Sequence, residues 1–294
     1  MTKIYHQSVL LQETIDALRV QKGEKYIDAT LGGGGHTGEI LRLGGEVLGI
    51  DQDEDAIQHV RENFKFQISN FKLKVARENF EKIEEIAKEN GYKPVAGVLF
   101  DLGISSHHIE EGERGFSFLK EAPLDMRMDR AITVTASDLV NGLNKGELIQ
   151  LLTKYGEEVF AKRIASAILK EREYGPITTT TQLAKVIASV IPGKNHTVHP
   201  ATKSFQALRI AVNDELYVLD HALPQALSLL THNGRLVVIS FHSLEARIVK
   251  RTFIEWEKKG LGKIITDTPI TPQLQEIEEN KRSRSSQLRV FEKI

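Results

Sequence analysis

The stretch Lys25-Tyr-Ile-Asp28-Ala-Thr-Leu-Gly32-Gly-Gly-Gly-His36-Thr-Gly38 decides the fold. It starts as a short extended run, turns on four consecutive glycines and continues as a helix from Thr37 to Leu43. Glycines at such a turn let the backbone approach a ligand closely, and the helix start offers N–H groups without intrahelical partners. Gly33, Gly35 and Gly38 satisfy the G-x-G-x-x-G dinucleotide pattern. Asp51 follows Gly32 by 19 residues and ends the next apolar run, Glu46 to Asp51, where a carboxylate accepts hydrogen bonds from ribose hydroxyls. A plain glycine-rich turn beside a surface aspartate is the bland alternative, but strand, glycines, helix, strand and acid stand here in order. The pattern predicts a site for a nucleoside-containing cofactor. NAD and S-adenosylmethionine both bring adenine and ribose, so both fit. Asp28 suits the ammonium of the S-adenosylmethionine tail, or support of the loop, which tilts the choice modestly that way.

Outward from this stretch the alternation continues. Asp53 to Asn63 has helical spacing, Leu73 to Ala76 is strand-like, Phe80 to Lys88 helical, and Val95 to Phe100 a third apolar strand. Strands separated by helices predict a parallel sheet covered on both faces. The rhythm stops from Ile109 to about Pro200, where the periodic segments read as helices. Asn144 and Glu147 form a capping-box start. Val159, Phe160, Ile164, Ala167 and Ile168 make an apolar stripe, and Thr180 or Thr181 caps a helix that Pro192 stops. The α/β pattern then returns with helices Phe205 to Leu219 and Leu223 to Leu230. A strand Leu236 to Phe241 and a helix Leu244 to Trp256 follow, and Lys263 to Thr266 with Leu288 to Phe291 form a closing pair. The expected organisation is an α/β domain from 1–108 and 201–294, interrupted by an all-helical domain at 109–200.

Composition bounds the function. Of 294 residues 40% are apolar and 27% charged, as in a globular protein, and 39 Lys plus Arg against 40 Asp plus Glu leave a net charge of −1. Any nucleic-acid contact must therefore come from a local patch rather than bulk charge. Zero cysteines exclude disulfides, thiolate nucleophiles and Cys-ligated metals. No apolar run approaches the roughly 20 residues that span a bilayer. The expectation is a soluble, cytoplasmic protein without membrane contact.

Four other clusters carry chemistry. Phe100-Asp101-Leu-Gly-Ile-Ser105-Ser106-His107-His108 ends a buried strand, where open α/β sheets bind ligands. Asp101 is an acceptor there, Ser105 and Ser106 supply hydroxyls, and the paired histidines lack the spacing of a metal motif, so no metal site is expected. Glu113 to Phe118 with Pro123 to Asp129 reads equally as a solvated loop or a functional one. Ser240-Phe-His242-Ser-Leu-Glu245 adds polar groups after the second apolar strand. Lys281-Arg282-Ser-Arg284-Ser-Ser286 is a basic run whose arginines could contact phosphates. Trp256 and Phe205 read as core.

Several strings resemble the bacterial S-adenosylmethionine-dependent 16S rRNA (cytosine-N4) methyltransferases, the RsmH or MraW family. They are His6-Gln-Ser-Val-Leu-Leu11, Ile27 to His36, Gly49-Ile-Asp51-Gln-Asp53, Phe100 to Ser106 and Glu113 to Phe118. Pro123 to Asp129, His199-Pro-Ala-Thr202, Ser240 to Glu245 and Arg282 to Ser285 match in the same order. The resemblance implies a Rossmann-like methyltransferase domain with an inserted helical domain for substrate recognition. It implies methyl transfer to the N4 of one cytidine in the decoding region, within the small ribosomal subunit. Cofactor contacts carry over to Gly34, Gly35, His36, Asp51, Phe80 and Asp101. A further contact falls on His108, where the family commonly has glutamine. The cytosine amino lone pair is delocalised, so rate should come from orientation and from acceptors for the amino protons; Asp101 and Ser105 are the candidates. Arg282 and Arg284 are the candidate rRNA contacts. Two competing readings are an NAD-dependent oxidoreductase and a non-catalytic RNA-binding assembly factor that retains S-adenosylmethionine.

Overall fold

The computed structural model describes residues 8–104, 114–193 and 199–294. In chain order the first part carries α1 (Leu11–Leu18), β1 (Lys25–Asp28), α2 (Gly35–Arg42), β2 (Glu46–Asp51), α3 (Glu54–Asn63), α4 (Lys65–Ser69) and β3 (Leu73–Arg77). A 3-10 turn at Phe80–Lys82 leads into α5 (Ile83–Asn90), then β4 (Val95–Asp101). A helical stretch follows with α6 (Ala136–Gly142), α7 (Lys145–Gly156), α8 (Ala161–Arg172), α9 (Thr180–Val190) and α10 (Thr202–Asn213). The chain ends with α11 (Glu215–Leu229), β5 (Leu230–Ser240), α12 (Ser243–Lys258), β6 (Gly262–Ile264), α13 (Leu274–Glu279) and β7 (Gln287–Lys293).

The strands form one sheet in the order β3-β2-β1-β4-β5-β7-β6. β1 to β5 pair in parallel, and β7 runs antiparallel to both β5 and β6. Successive side chains of a strand point to opposite faces, and both faces here are apolar. Val98, Phe100, Leu236 and Val238 pack with Ile83 and Ile86 of α5, Leu219 and Leu223 of α11, and Phe253 and Trp256 of α12. Leu99, Val237 and Ile239 pack the other face with Ile15 of α1, Ile40 of α2, and Ile57 and Val60 of α3. That two-sided burial is why β4 and β5 read as unbroken apolar runs. The strand order reverses between β1 and β4, the switch point where open α/β sheets bind ligands.

The chain divides into two compact units, Met1–Ser105 with Leu216–Ile294, and Ser106–Glu215. The second boundary therefore lies after Glu215 rather than after Pro200. α10 belongs to the helical unit because it packs closely on α7: a Cβ at Gly156 would stand 2.7 Å from the Lys203 carbonyl. The expected single helix Phe205 to Leu219 is two helices, broken at Asp214, which takes a left-handed φ of 48°. Val159 and Phe160 precede α8 instead of joining its apolar stripe, and Val159 is 81% exposed. Ile164, Ala165 and Ile168 supply the buried face. The Asn144–Glu147 capping box forms as expected, with each side chain accepting from the other's backbone N–H at 2.8 and 3.0 Å. Among the described residues no helix is long and apolar enough to cross a membrane.

Candidate functional site

The glycine turn leaves the end of β1 and enters α2 with Gly32 and Gly34 both at positive φ, 49° and 78°. A side chain at Gly34 would strike the Phe64 ring at 2.9 Å, and one at Gly35 would collide with the Ser8 hydroxyl. Packing thus favours glycine at both positions, and the left-handed φ adds to it at Gly34. Gly32 has more room: among the described residues a Cβ there would meet only the Thr30 carbonyl, at 3.8 Å, so the turn is open to them at that point.

Acidic side chains hold this turn from behind. Asp28 is buried, accepts from the Thr37 hydroxyl at 2.7 Å and from the Thr30 N–H at 3.3 Å. Its role is support of the loop. Burial raises its pKa to about 6, opposed by those two hydrogen bonds. Asp51, at the end of β2, accepts from the N–H groups of Gly32 at 2.8 Å and Asp53 at 2.9 Å. The sequence reading placed Asp51 on a ribose; in the structure its carboxylate also orders the glycine turn. Phe80 lies beyond β3 with its ring 5.3 Å from that of Phe100, edge to face. Beside it, Asn79 donates to Gln52 at 3.0 Å, a pair the sequence reading missed because 27 positions separate the two residues.

Asp101 ends β4, and its N–H donates to the Thr30 hydroxyl at 2.6 Å, tying the ends of β4 and β1 together across the switch point. Its side chain is nearly buried, and among the described residues Oδ1 has no hydrogen-bond partner. Oδ2 stands 3.6 Å from His36 Nδ1, beyond hydrogen-bond reach. Burial pushes the Asp101 carboxyl well above the usual range, the charges of Asp28 and Glu245 push it the same way, and Arg282 opposes them. His36 is buried with Nε2 3.1 Å from the Val9 carbonyl, and burial lowers its pKa to about 4. The imidazole is therefore neutral near pH 7, with its Nε2–H donating to Val9.

The remaining candidates separate. Arg282 is half-buried and donates to the Ile104 carbonyl at 3.2 Å, while Arg284 is exposed. Only Arg284 is presented to solvent as an expected phosphate contact would be. Arg282 instead turns inward, toward the loop after β4 and the field of Asp101. Ser105 and His108 lie outside the described residues. His242 caps α12 in a reciprocal box with Glu245, whose Oε2 accepts from Phe241 N at 2.8 Å and His242 N at 3.3 Å. The segment from Arg114 to Asp129 is an internally bonded strap rather than a solvated loop. Arg114 is buried and donates to the carbonyls of Arg127 and Met128, and Asn213 bonds the backbone of both Met126 and Met128.

The family model and the curated relatives agree on one family. Residues 3–294 match the model of the MraW methylase family. A ribosomal RNA small subunit methyltransferase H from Citrifermentans bemidjiense is 45% identical, with 100% of both chains covered. One from Symbiobacterium thermophilum is 44% identical over 99% of this chain and 97% of its own. Among solved structures, an rRNA methylase from Streptococcus thermophilus is 10% identical with a TM-score of 0.47, covering 98% of each chain.

Proposed function

This chain belongs to the MraW methylase family, and from that premise we propose that it methylates the exocyclic N4 of a cytidine in the decoding region of small-subunit 16S rRNA, in the cytoplasm. S-adenosylmethionine, the cofactor, supplies an electrophilic methyl group when bound. The residues present fit it. The carboxylates of Asp28, Asp51 and Asp101 crowd the carboxyl edge of the sheet, which suits a ligand bearing an ammonium, a sulfonium and ribose hydroxyls. The pyrophosphate of NAD would meet like charge there, which disfavours the oxidoreductase reading. The open turn at Gly32, with Gly34, Gly35 and the His36 backbone, forms one wall; Asp51 and Phe80 are the proposed ribose and adenine neighbours.

The observation that carries the catalytic reading is Asp101: a nearly buried carboxylate at the switch point, with one oxygen lacking a hydrogen-bond partner among the described residues. Such an oxygen accepts a proton from the amino group whose nucleophilicity must be raised. Burial brings its affinity for that proton up from the usual carboxylate range, while Arg282 limits the rise. Thr30 fixes the backbone at Asp101 and so aims the carboxylate. Ser105 is the proposed second acceptor for the amino protons. His108 is the proposed further cofactor contact. Because the reacting amino group is obstructed in a stacked base, the cytidine is expected to be unstacked when it reacts.

The test is transfer of labelled methyl from S-adenosylmethionine to small subunits lacking the modification, with mass mapping of the rRNA. Label at one cytidine N4 supports the proposal. Cofactor binding without transfer would leave the non-catalytic assembly factor standing.

A further inference from the structure

α8 and α9 of the helical unit bound an open groove of about 1150 Å³. Lys162, Arg163 and Lys170 reach it from α8, and Lys185 from α9. Tyr174, just past the end of α8, stands at the same groove and is 80% exposed. The facing positions recur at helical spacing: Lys162, Ser166 and Lys170 on one wall, Thr181, Lys185 and Ser189 on the other. The opposite faces of both helices are core, through Ile164 and Ile168 on α8 and Leu183 and Ile187 on α9.

Charge makes this groove distinctive. Residues 109–200 hold 12 acidic and 12 basic side chains, so the segment has no net charge to offer. The groove concentrates four cations against two carboxylates, Glu121 and Glu171. Those carboxylates accept from neutral groups, the Thr181 hydroxyl at 3.1 Å and the Gln182 amide at 3.5 Å. Among the described residues none of the four cations has a carboxylate partner. Arg163 rests over the Phe160 ring at 5.7 Å. Long side chains left without internal partners are the pattern expected where the partner is external and anionic.

We propose that this groove holds a single-stranded segment of the rRNA substrate, with phosphates on Lys162, Lys170 and Lys185 and an unstacked base on Tyr174. The proposal rests on the rRNA reading above and assigns a binding surface within it. Eight residues at about 1.5 Å per residue separate Lys162 from Lys170 by about 12 Å along the helix, a span that takes more than one phosphate of an extended strand. Cations interleaved with an exposed aromatic suit single-stranded nucleic acid, because every base offers a face for stacking. An acidic peptide would use the cations and leave the aromatic idle.

The experiment uses the full chain with lysines 162, 170 and 185 changed to Gln, which keeps helix propensity, and measures binding to naked 16S rRNA and to small subunits across salt concentrations. The expected result is a salt slope lower by about 2 in log affinity, at roughly 0.7 per phosphate contact on single strands. KM for subunits should rise while kcat at saturation, cofactor affinity and melting temperature stay put. Tyr174→Ala should weaken binding roughly tenfold, the scale of a lost stacked base, and Tyr174→Phe should restore it. An unchanged slope in the triple variant, with wild-type transfer intact, overturns the groove and leaves the proposed function standing. Weakened binding to subunits but not to naked rRNA also overturns it, because the partner would then be a protein. Failure of the wild-type chain itself to bind or methylate subunits would instead strike the functional reading.

Discussion

The carboxyl edge of the sheet and the α8–α9 groove deploy charge in opposite ways. At the sheet edge the polar side chains are largely spoken for before any ligand arrives. Asp28 holds Thr37 and Thr30, Asp51 holds Gly32 and Asp53, and His36 holds Val9. In the groove Lys162, Lys170 and Lys185 are exposed and have no carboxylate partner among the described residues. A rigid, dry site can shift proton affinities and aim reacting atoms, because nothing there reorganises during the reaction. An exposed cationic site gives affinity that salt screens and sequence hardly matters to. Chemistry belongs to the first region and grip to the second.

The sharpest way to break that division is Asp101→Asn. The substitution keeps the size and the backbone bond to Thr30 but removes the proton acceptor. Transfer should fall about 10²- to 10⁴-fold, the range for a general base, with subunit binding unchanged. A rate within threefold of wild type, measured by single-turnover methyl transfer, would remove Asp101 from the chemistry.

The dryness of the sheet edge also has a thermodynamic signature. Asp28 has a folded pKa of about 6 against an ordinary 3.8, so the folded state binds more protons and its stabilising contribution fades as pH rises from 4 to 6. His36 is the reverse. Its pKa of about 4 against 6.5 means the unfolded state binds more protons, so its contribution to stability grows as pH rises from 4 to 6.5. In the wild type the two trends oppose each other. His36→Gln should unmask a fall in stability between pH 4 and 6 of up to about 3 kcal/mol, at 1.36 kcal/mol per pKa unit. Asp28→Asn should unmask a rise of similar size. Parallel curves for both variants and wild type in urea titrations at several pH values would show that the edge is wetter than its geometry indicates.

Asp51 lies between the two regimes, half-buried and both structural and ligand-facing in the proposed reading. Asp51→Ala should weaken S-adenosylmethionine by about 1.5–3 kcal/mol, the scale of a charged hydrogen bond. Isothermal titration measures this directly. Because Asp51 also holds the Gly32 N–H, part of that loss should appear as faster amide exchange in the turn. An unchanged dissociation constant would confine Asp51 to loop support.

How much of this was legible in the sequence follows from distance along the chain. The glycine turn, the ends of β1, β2 and β4 and the cap at Asn144 are local patterns, and the reading found them. The tie between Thr30 and Asp101 joins residues 71 positions apart, and no motif announces it. Nor could spacing show that Gly35 makes room for Ser8, or that Asn213 bonds the strap at Met126 and Met128 and so draws α10 into the helical unit. The strap read equally as a solvated or a functional loop because its charges alternate. In the fold, Arg114 finds two carbonyls and Asp125 pairs with Arg127 at 2.7 Å, so the alternation is internal pairing. The two arginines of the basic run were likewise indistinguishable by sequence, since only the fold turns one inward.

That pair gives the finest test of the contrast, and the smallest expected effect. Arg284 is exposed, so as a proposed phosphate contact it should contribute a salt slope of about 0.7 to 0.9 in subunit binding. Arg284→Ala should lower the slope by that amount and leave the pH dependence of transfer alone. Arg282 donates to the Ile104 carbonyl and lowers the proton affinity of Asp101. Arg282→Ala should therefore leave the salt slope intact and move the acid limb of the transfer profile to higher pH, because the nearby carboxylate loses a compensating charge. Arg282→Lys should restore the limb in part, as it keeps the charge and gives up the planar fork. If instead both alanine variants flatten the salt dependence equally and neither moves the pH profile, Arg282 turns outward when RNA binds. The inward pairing would then describe only the free protein.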